Sequence, residues 1–407
     1  MPQVLKGFRV VDFTHVLSGP IATNFLTLMG AEVIKIESAI GDTMRNYGGK
    51  STGGMGPSFV SVNAGKRSIV LDLKKEEHIE VARRLIGKAD VVVENFRPGV
   101  IDRLGLGYEA CRRIKSDIVF CSVSGFGQSG PLKFNPAIDQ IIQSMSGLMN
   151  LSGEPGSPPI RIGFPVVDTY TGLLAAFAIV CALLQRARGG EGQYIDVAMF
   201  DASMVLMISM LGPYLVAGDK PEKQGNRGYS MSPTADTFKT AKGDITLGAV
   251  RQQQFEGICK VINRPDLITD PRFLDRNLRF QHGDALQAEV TRELMKRPAG
   301  EWETLLNEAG VAAGVVRDMS DAVALDHFDV RDIKIPIKVP GIVDEDVQIL
   351  NAGFRYAHDA PGHHRPPPRL GEHTREVLGE LGYSAEQIDA ILEKPKPAAN
   401  AGKETRQ

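Results

Sequence analysis

Residues 8–37 read FRVVDFTHVLSGPIATNFLTLMGAEVIKIE, and the order of apolar and polar residues in this segment indicates the fold class. Two apolar-rich segments of strand length, Phe8–Phe13 and Ala31–Glu37, lie at its ends. Between them, Ile21–Met29 has helical spacing and stops at Gly30, the residue type that favours helix C-termini. A strand, a helix and a second strand in this order form a β-α-β unit, whose two strands are parallel. The stretch therefore predicts an α/β fold.

The same pattern continues along the first half of the chain. Four more segments have the composition of buried strands: Arg67–Asp72, Asp90–Asn95, Asp117–Val123 and Gln193–Ala198. A helix is predicted over Glu76–Ile86. No strand leads into a G-x-G-x-x-G turn, and the sequence has no Walker loop, so neither a dinucleotide nor a nucleoside triphosphate is indicated. The pattern predicts a Rossmann-like parallel sheet with a ligand crevice at the carboxyl ends of its strands.

Composition divides the chain into five segments. We predict a large Rossmann-like domain over residues 1–217, a linker over 218–234, a smaller α+β domain over 235–336, a return to the large domain over 337–393 and a flexible tail over 394–407.

Two segments inside the predicted large domain have a composition of their own. The glycine-rich segment between Glu37 and Lys66 is expected to be a mobile surface loop. A methionine-rich helix, Asp201–Val216, is expected to lie in the core or at a subunit interface.

The overall composition restricts the function classes. With 407 residues, 43% hydrophobic content and a net charge of −2, the chain resembles an ordinary globular protein without a nucleic-acid footprint. The four cysteines lack metal-ligand spacing and are expected to be reduced, and no metal site is predicted. The N-terminus lacks a signal-peptide pattern, and the longest apolar run, Leu173–Leu184, is short for a bilayer, so we expect a cytoplasmic protein without a membrane partner.

One carboxylate stands out because of its surroundings. Asp168 follows an apolar segment that ends at Val167 and precedes an apolar helix predicted from Thr171 to about Arg186. The simpler interpretation is a helix cap, since an aspartate there accepts hydrogen bonds from free N–H groups and the helix dipole favours an anion. Apolar neighbours and nearby small residues such as Gly172 favour instead a dry pocket with room for a ligand.

Other candidate contacts have equally simple alternatives. The segment Asn95–Gly99 follows a strand end, where open sheets bind ligands, but its residue types are also those of a plain turn. Lys66, Arg67 and Arg103 are either phosphate contacts or solvated charges.

Several separate motifs, in order along almost the whole chain, resemble those of a known family. They are DFTHV at 12–16, GP at 19–20, GAEVIKIE at 30–37, KRSI at 66–69, VENFRPG at 93–99, SGFG at 124–127 and GEHT at 371–374. Together they resemble the family III CoA-transferases, the group related to formyl-CoA:oxalate CoA-transferase. The resemblance implies a pair of ring-like protomers interlocked as a homodimer. It also implies a Rossmann-like large domain built from both chain ends, with a smaller α+β domain between them.

The resemblance also implies a reaction and a set of site residues. Asp168 falls on the position of the family nucleophile, which forms an aspartyl anhydride and then an aspartyl-CoA thioester. Coenzyme A would be a substrate, and no metal or other cofactor is implied. N–H groups of the turn at Asp168 and of the helix start are expected to stabilise the tetrahedral intermediates. The implied CoA contacts are Val16, Leu17, Ser18, Leu71, Asp72, Asn95, Phe96, Arg103, Ile138 and Asp139.

Departures from the family pattern bear on the substrate. Racemases on this fold carry a histidine where this chain has Ile138, which weighs against racemisation. The glycine run and the tyrosine of the oxalate enzymes are missing, so the acceptor is expected to be a larger dicarboxylate and the donor succinyl-CoA, as in the benzylsuccinate-type branch. Arg45, Arg227 and Arg251 are candidates for holding a distal carboxylate, although each is also expected on an ordinary surface. The alternatives are a racemase or another acyl-CoA enzyme of this fold, and a non-catalytic subunit of a heteromeric transferase.

Overall fold

A computed structural model describes residues 3–48, 53–342 and 347–392. The chain forms two compact units. One unit contains the described residues up to Ser146, the segment Gly163–Ile208 and the described residues from Arg331 onward. The other contains Gly147–Ile162 and Ser209–Val330.

The first unit is built on a six-stranded sheet. Its strands are β1 Arg9–Asp12, β2 Glu32–Glu37, β3 Arg67–Val70, β4 Val91–Glu94, β5 Val119–Ser124 and β6 Tyr194–Ala198. All pairs are parallel, and the spatial order is β3-β2-β1-β4-β5-β6. This order reverses direction between β1 and β4, which is the point where such sheets form a ligand crevice. The predicted α/β class and all six predicted strands are confirmed.

Helices cover both faces of this sheet. The described helices of the first unit are α1 Ser18–Leu28, α2 Pro57–Asn63, α3 Glu76–Gly87, α4 Val100–Arg103, α5 Tyr108–Ile114 and α6 Asp139–Met145, then α8 Val166–Ala187, α9 Met199–Leu206, α18 Thr374–Glu380 and α19 Ala385–Leu392. One face packs its apolar side chains against α3, α5, α18 and α19, and the other packs against α1 and α8. The C-terminal helices thus return to the sheet that the N-terminus begins.

Helix α8 is longer than the sequence predicted. It begins at Val166, so Asp168 lies in its first turn, and it extends over 22 residues. The apolar run was judged too short to span a bilayer, but the whole helix has the length and composition to do so, with mean hydropathy 1.9. Its residues Ala175, Ile179 and Leu183 pack against the sheet within the apolar core. Helix α8 is therefore a core helix with one exposed apolar side.

The segment between Glu37 and Lys66 was expected to be a mobile surface loop, and its described part is not. It contains a 3₁₀ helix, Thr43–Asn46, and α2. Phe59 of α2 is fully buried in a small core shared with the antiparallel hairpin of β10 Lys334–Ile337 and β11 Val347–Leu350. The sequence did not indicate this core, because its apolar residues are spread through a glycine-rich segment.

The second unit has an antiparallel sheet and short helices. Its strands are β7 Thr237–Lys239, β8 Asp244–Leu247 and β9 Ala313–Val315, in the order β7-β8-β9. Its helices are α7 Leu148–Leu151, α10 Ile208–Ala217, α11 Gln252–Val261, α12 Asp266–Thr269, α13 Arg276–Gln281, α14 Gly283–Leu294, α15 Ala299–Glu308, α16 Met319–Val323 and α17 Asp326–Val330. Aromatic and aliphatic side chains, including Phe255 and Trp302, form its core.

Contacts and composition divide the chain at different residues. The sequence assigned 147–162 and 209–217 to the large domain, whereas contacts place them in the second unit. It assigned 331–336 to the smaller domain, whereas contacts place these residues in the first unit. The methionine-rich helix predicted over Asp201–Val216 is two helices, α9 and α10, because the helical conformation is interrupted at Met207. The predicted tail, 394–407, lies outside the described residues.

Candidate active site

A buried ion pair fixes the turn that follows β1. Lys66 and Asp12 are both fully buried, with Nζ and Oδ2 3.2 Å apart. Lys66 also donates to the carbonyl of Pro20 and to the hydroxyl of Thr23 in α1. Although burial opposes ionisation, the Lys66 charge and hydrogen bonds from Thr14 and Thr23 lower the pKa of Asp12 to about 2. The pair therefore ties β1 to the start of α1.

The end of β4 holds the same turn from the other side. The Asn95 side chain accepts from the backbone N–H of His15 and donates to its carbonyl, both at 2.8 Å. The next residue, Val16, has φ of 69°, a conformation that a β-branched residue adopts only when its surroundings enforce it. Its N–H donates to Asp42 Oδ1 at 3.2 Å. The strained turn is thus enforced by partners from two neighbouring loops.

Helices α1 and α8 approach each other closely at Gly172. A Cβ at this position would lie 2.6 Å from the Ser18 carbonyl oxygen and 2.6 Å from Ile21 Cγ2. Asp168 lies one turn before Gly172, so the close approach brings its carboxyl group to the hydroxyl of Ser18. A glycine is therefore what allows the predicted nucleophile to meet the start of α1.

The environment of Asp168 raises its pKa to about 6. Burial is the main cause, and the negative charge of Asp139 adds to it, whereas the Ser18 hydroxyl acts in the opposite direction. The residue is half-buried, so the carboxylate keeps a path to a ligand.

Asp168 does not cap its helix, because Asp139 does. Oδ2 of Asp139 accepts from the N–H groups of Val167 at 2.8 Å and of Asp168 at 3.1 Å. Those of Val166 and Thr169 donate to backbone carbonyls. The expectation that the turn at Asp168 offers oxyanion donors is therefore wrong, since its N–H groups are occupied.

Free donors occur instead at the start of α1. Within the part of the chain that the structure describes, the N–H groups of Ser18 and Gly19 have no acceptor. Pro20 follows them and has no N–H, and the first intrahelical bond runs from Ile21 to the Leu17 carbonyl. Two unpaired donors next to a carboxylate are the arrangement that stabilises a tetrahedral oxyanion.

The remaining predicted contacts differ in accessibility. Leu71 is 1% exposed and lies in the sheet core, and its N–H donates to the Glu37 carbonyl at 2.9 Å. Asp72 and Arg103 are exposed, at the end of β3 and in α4. Ile138 is 64% exposed and precedes the buried Asp139 at the start of α6. These roles stay predictions, although every one of the residues lies in a segment that follows the carboxyl end of a strand.

A cavity of about 380 Å³ opens beyond the ends of β4 and β5. Three predicted contacts line it, namely Asn95, Phe96 and Ile138. Arg97, which lies in the candidate segment Asn95–Gly99, also lines it, as does Lys133, which the sequence did not indicate. The proximity of Lys133 to this edge comes only from the fold, because more than thirty residues separate it from Arg97.

One further residue of this edge, Glu94, was not indicated by the sequence. Glu94 is buried at the end of β4, and burial raises its pKa to about 7. It accepts from the Phe96 N–H at 2.8 Å and so orients the Asn95–Phe96 segment.

Several basic residues considered as anion contacts are occupied elsewhere. Lys66 is paired with Asp12, and Arg67 is 2% exposed and paired with Glu32 and Glu380. Their interpretation as phosphate contacts or solvated charges is therefore wrong.

The candidates for a distal carboxylate contact also differ. Arg45 is buried and forms two hydrogen bonds to Glu37, and its third nitrogen donates to the carbonyl of Pro368. Arg227 lies 3.6 Å from a carboxylate oxygen of Asp236. Arg251 is exposed and makes no ion pair with any residue that the structure describes.

A strained turn, N–H groups without an acceptor among the described residues and a carboxylate of raised pKa thus occur in segments that follow the carboxyl ends of the parallel strands, where Rossmann-like folds bind ligands. Comparison with known proteins identifies the family. Residues 5–374 match CoA-transferase family III, so the chain belongs to this family and is a CoA-transferase.

Named relatives and a solved structure are similar along most of the chain. The chain is 39% identical over 377 residues to an acetyl-CoA:oxalate CoA-transferase of Acetobacter aceti, covering 92% of this chain and 95% of the relative. It is 34% identical over 390 residues to a succinyl-CoA:glutarate CoA-transferase of Mus musculus, covering 95% and 89%. A CAIB/BAIF family protein from Brucella suis superposes with a TM-score of 0.85 at 33% identity, covering 94% of this chain and all of that one.

Proposed function

We propose that this chain transfers CoA from an acyl-CoA donor to a carboxylic acid, with Asp168 as the covalent nucleophile. The observation that carries the proposal is the half-buried Asp168 carboxylate, whose pKa is raised to about 6, beside the unpaired N–H groups of α1. A carboxylate that is ionised at neutral pH and poorly solvated is suited to attack a thioester.

The proposed reaction proceeds in balanced steps. An oxygen of Asp168 attacks the thioester carbonyl, the C–S bond breaks with its electron pair on sulfur, and an aspartyl anhydride forms. The CoA thiolate then attacks the aspartyl carbonyl, which releases the donor acid as its carboxylate and leaves an enzyme-CoA thioester. The acceptor carboxylate repeats both steps in reverse. The cycle has no net proton transfer and no redox change, so it requires neither a metal nor a redox cofactor.

The N–H groups of Ser18 and Gly19 are the proposed oxyanion donors. Each tetrahedral intermediate places a negative charge on the former carbonyl oxygen, and preorganised donors stabilise that charge without rearranging. Removing one such donor typically costs about two to three orders of magnitude in rate. The rigid turn before α1, fixed by the Asp12–Lys66 pair and by Asn95, would keep both donors in place.

CoA is proposed to lie along the carboxyl edge of the sheet, with part of it in the cavity beyond β4 and β5. Asn95, Phe96 and Ile138 provide a mixed polar and apolar wall, and Arg97 and Lys133 add two positive charges suited to phosphate groups.

The proposed substrates are succinyl-CoA as donor and a dicarboxylic acid larger than oxalate as acceptor. A relative named for succinyl-CoA and glutarate supports this pair. The relative named for oxalate makes oxalate the second candidate, at somewhat higher identity. The missing glycine run favours the larger acid.

We further propose a dimer, formed by two copies of this chain or with a related subunit, located in the cytoplasm. The dimer is supported by an exposed apolar stripe on α8, formed by Leu173, Phe177, Val180 and Leu184.

Variants of Asp168 test the proposed function. Asp168→Ala should lower kcat for transfer from succinyl-CoA by several orders of magnitude, and Asp168→Asn should be nearly as damaging, because an amide is a poor nucleophile. The matched control is Asp389→Asn, an exposed aspartate on α19 that pairs with Arg375. Products are measured as CoA esters by mass spectrometry over a panel of acids. If Asp168→Ala keeps more than about a tenth of the wild-type kcat, the assignment is wrong.

A further inference from the structure

A cavity of about 470 Å³ lies in the second unit, and only residues of that unit line it. Three of its lining residues are arginines: Arg251 before α11, and Arg276 and Arg279 on α13. The lining contains no aspartate or glutamate. Three positive charges around one cavity, without an acid in its wall, favour an anionic ligand.

These arginines differ from the other arginines of the same unit. Arg264 contacts carboxylate oxygens of Asp266 and Glu289, and Arg317 binds Glu303 with both of its terminal nitrogens. In contrast, Arg251, Arg276 and Arg279 form no ion pair with any residue in the described ranges. The unit thus pairs most of its arginines, whereas these three have no counter-ion among the described residues.

Arg279 is the strongest indication of a built site. Its side chain is only 5% exposed, and its guanidinium lies 4.5 Å from the centre of the Phe255 ring. One terminal nitrogen donates to the Phe273 carbonyl at 2.8 Å. A buried cation without a counter-ion destabilises a fold, so its presence at a cavity wall indicates that an anion completes the site.

The two nearest acids do not supply that anion. Asp275 accepts from the backbone N–H groups of Asn277 and Leu278 and so caps α13. The Glu256 carboxylate accepts from the Gln252 side chain at 3.1 Å. Both carboxylates have partners of their own, and neither forms an ion pair with Arg279.

The loop that contains Ser232 and Thr234 forms another part of the cavity wall. Ser232 and Thr234 are buried and donate to the Ala249 carbonyl at 2.9 and 2.8 Å. Met231, which also lines the cavity, has φ of 58°. A non-glycine residue keeps such a conformation only where its surroundings impose it, and strained backbone of this kind is concentrated at binding sites.

We propose that this cavity binds the free carboxylate of a dicarboxylic acid. The guanidinium groups match a carboxylate through paired hydrogen bonds, and Phe255, Phe280 and Val250 provide apolar walls for a short methylene chain. The anion site rests on the arginines alone, whereas the choice of a dicarboxylate as its ligand rests on the proposed function.

A phosphate group is the other source of an oxyanion with this chemistry. The CoA substrate itself carries phosphates, so 3′,5′-ADP serves as the phosphate probe. The calorimetric titration compares glutarate, pentanoate as the monocarboxylate of equal length, and 3′,5′-ADP.

The variants are Arg276→Gln and Arg251→Gln at exposed positions, and Arg279→Lys. Lysine keeps the positive charge but lacks the planar guanidinium group that forms paired hydrogen bonds. The matched control is Arg272→Gln, because Arg272 pairs with Asp270 and is not part of the cavity wall. Circular dichroism verifies that each variant is folded, and the two exposed positions keep the test informative if Arg279→Lys does not fold.

We expect the wild type and Arg272→Gln to bind glutarate at least tenfold more tightly than pentanoate. Arg276→Gln and Arg251→Gln should each weaken glutarate binding at least tenfold and leave pentanoate binding unchanged. Equal binding of the two acids, or glutarate binding that is insensitive to both substitutions, overturns the proposal. Binding of 3′,5′-ADP that depends on these arginines, without such glutarate binding, also overturns it in favour of a phosphate site.

The outcome is separable from that of the proposed function. Glutarate binding is also measured in Asp168→Asn, where transfer should be lost and the cavity unaffected. If Asp168→Asn still transfers CoA while glutarate binds through the arginines, the nucleophile assignment fails and the cavity proposal holds. If Asp168→Asn is inactive and the arginines do not matter, only the cavity proposal fails.

Discussion

The carboxyl group of Asp168 combines two properties that a nucleophile needs. Burial and the nearby charge of Asp139 raise its pKa from 3.8 to about 6, so the carboxylate is more basic than an ordinary one. The group is still mostly ionised at neutral pH, because its pKa stays about a unit below 7. A raised pKa therefore increases nucleophilicity without removing the reactive form.

The pH dependence of transfer should report this pKa. We expect kcat/KM to be constant above pH 7 and to fall as the pH decreases through about 6, because protonated Asp168 cannot attack the thioester. Asp139→Asn should move this acidic limb to lower pH, since it removes a negative charge while its amide oxygen can still accept from Val167 and Asp168. An acidic limb that stays unchanged in Asp139→Asn contradicts this electrostatic account.

The same raised pKa should make the fold less stable at high pH, where the activity is greatest. The native state holds the Asp168 proton more tightly than the unfolded chain, so the fold is progressively destabilised as the pH rises from about 4 to about 6, and the full penalty applies above pH 6. After allowance for partial solvent exposure, the penalty is roughly 1–2 kcal/mol. Asp168→Asn should raise the melting temperature at pH 8 and leave it unchanged at pH 4, as followed by calorimetry. A lower melting temperature of Asp168→Asn at pH 8 would contradict the claim that ionised Asp168 destabilises the fold.

At the scale of single residues, the sequence identified some site residues but not the hydrogen-bond and ion-pair partners that hold them. The position of Asp168 was found from its apolar surroundings and from the family resemblance. The role of Asp139 as the cap of α8 depends on a contact between residues 28 and 29 positions apart in the chain. The full burial of Lys66 depends on a partner 54 residues away, Asp12, which no local pattern indicates.

At the scale of helices and strands, the close contact between α1 and α8 positions the residues of the candidate site. Gly172 is the contact point, and it sets the distance between Ser18 and Asp168. A larger residue would push the helices apart and move the proposed oxyanion donors away from the nucleophile.

Gly172→Ala should therefore impair both stability and transfer. A Cβ only 2.6 Å from the Ser18 carbonyl requires the backbone to move, and overpacking of this kind costs about 1–3 kcal/mol. The matched control is Gly379→Ala in α18, where nothing lies within 4 Å of the added Cβ and alanine favours the helix. Chemical denaturation and the kcat of both variants are compared. Equal stability and activity of the two variants would show that the close approach has no role.

Periodic elements were predicted better than irregular ones. All six strands of the parallel sheet were found because continuous apolar runs indicate strands covered on both faces. The fold of the segment between Glu37 and Lys66 was missed, because Phe59 and Val60 form their core with a hairpin nearly 300 residues later in the chain. The start of α8 was placed too late, because its first cap comes from Asp139 and not from its own sequence.

For the molecule as a whole, the uncovered side of α8 is the main feature that the monomer leaves unexplained. Leu173, Phe177, Val180 and Leu184 lie at heptad-like spacing and are between 36% and 65% exposed. The opposite side of the same helix lies in the core. A contiguous apolar stripe of this kind is typical of a protein interface.

We expect a dimer that persists on dilution, since interlocked interfaces bury thousands of Å². Mass photometry at nanomolar concentration should show the mass of two chains, and Phe177→Lys should shift the population toward monomers or aggregates. Gln185→Lys, at an exposed polar position on the same helix, is the control and should stay dimeric. A folded and active monomer at nanomolar concentration would contradict the predicted assembly.

The central claim is that Asp168 becomes covalently attached to CoA during transfer. The most direct measurement is peptide mass spectrometry of the protein after incubation with succinyl-CoA and rapid acid quenching. We predict a CoA thioester on the peptide that contains Asp168, its disappearance when an acceptor acid is added, and no adduct in Asp168→Ala. An adduct on another residue, or CoA transfer by Asp168→Ala at a rate close to that of the wild type, would contradict the claim.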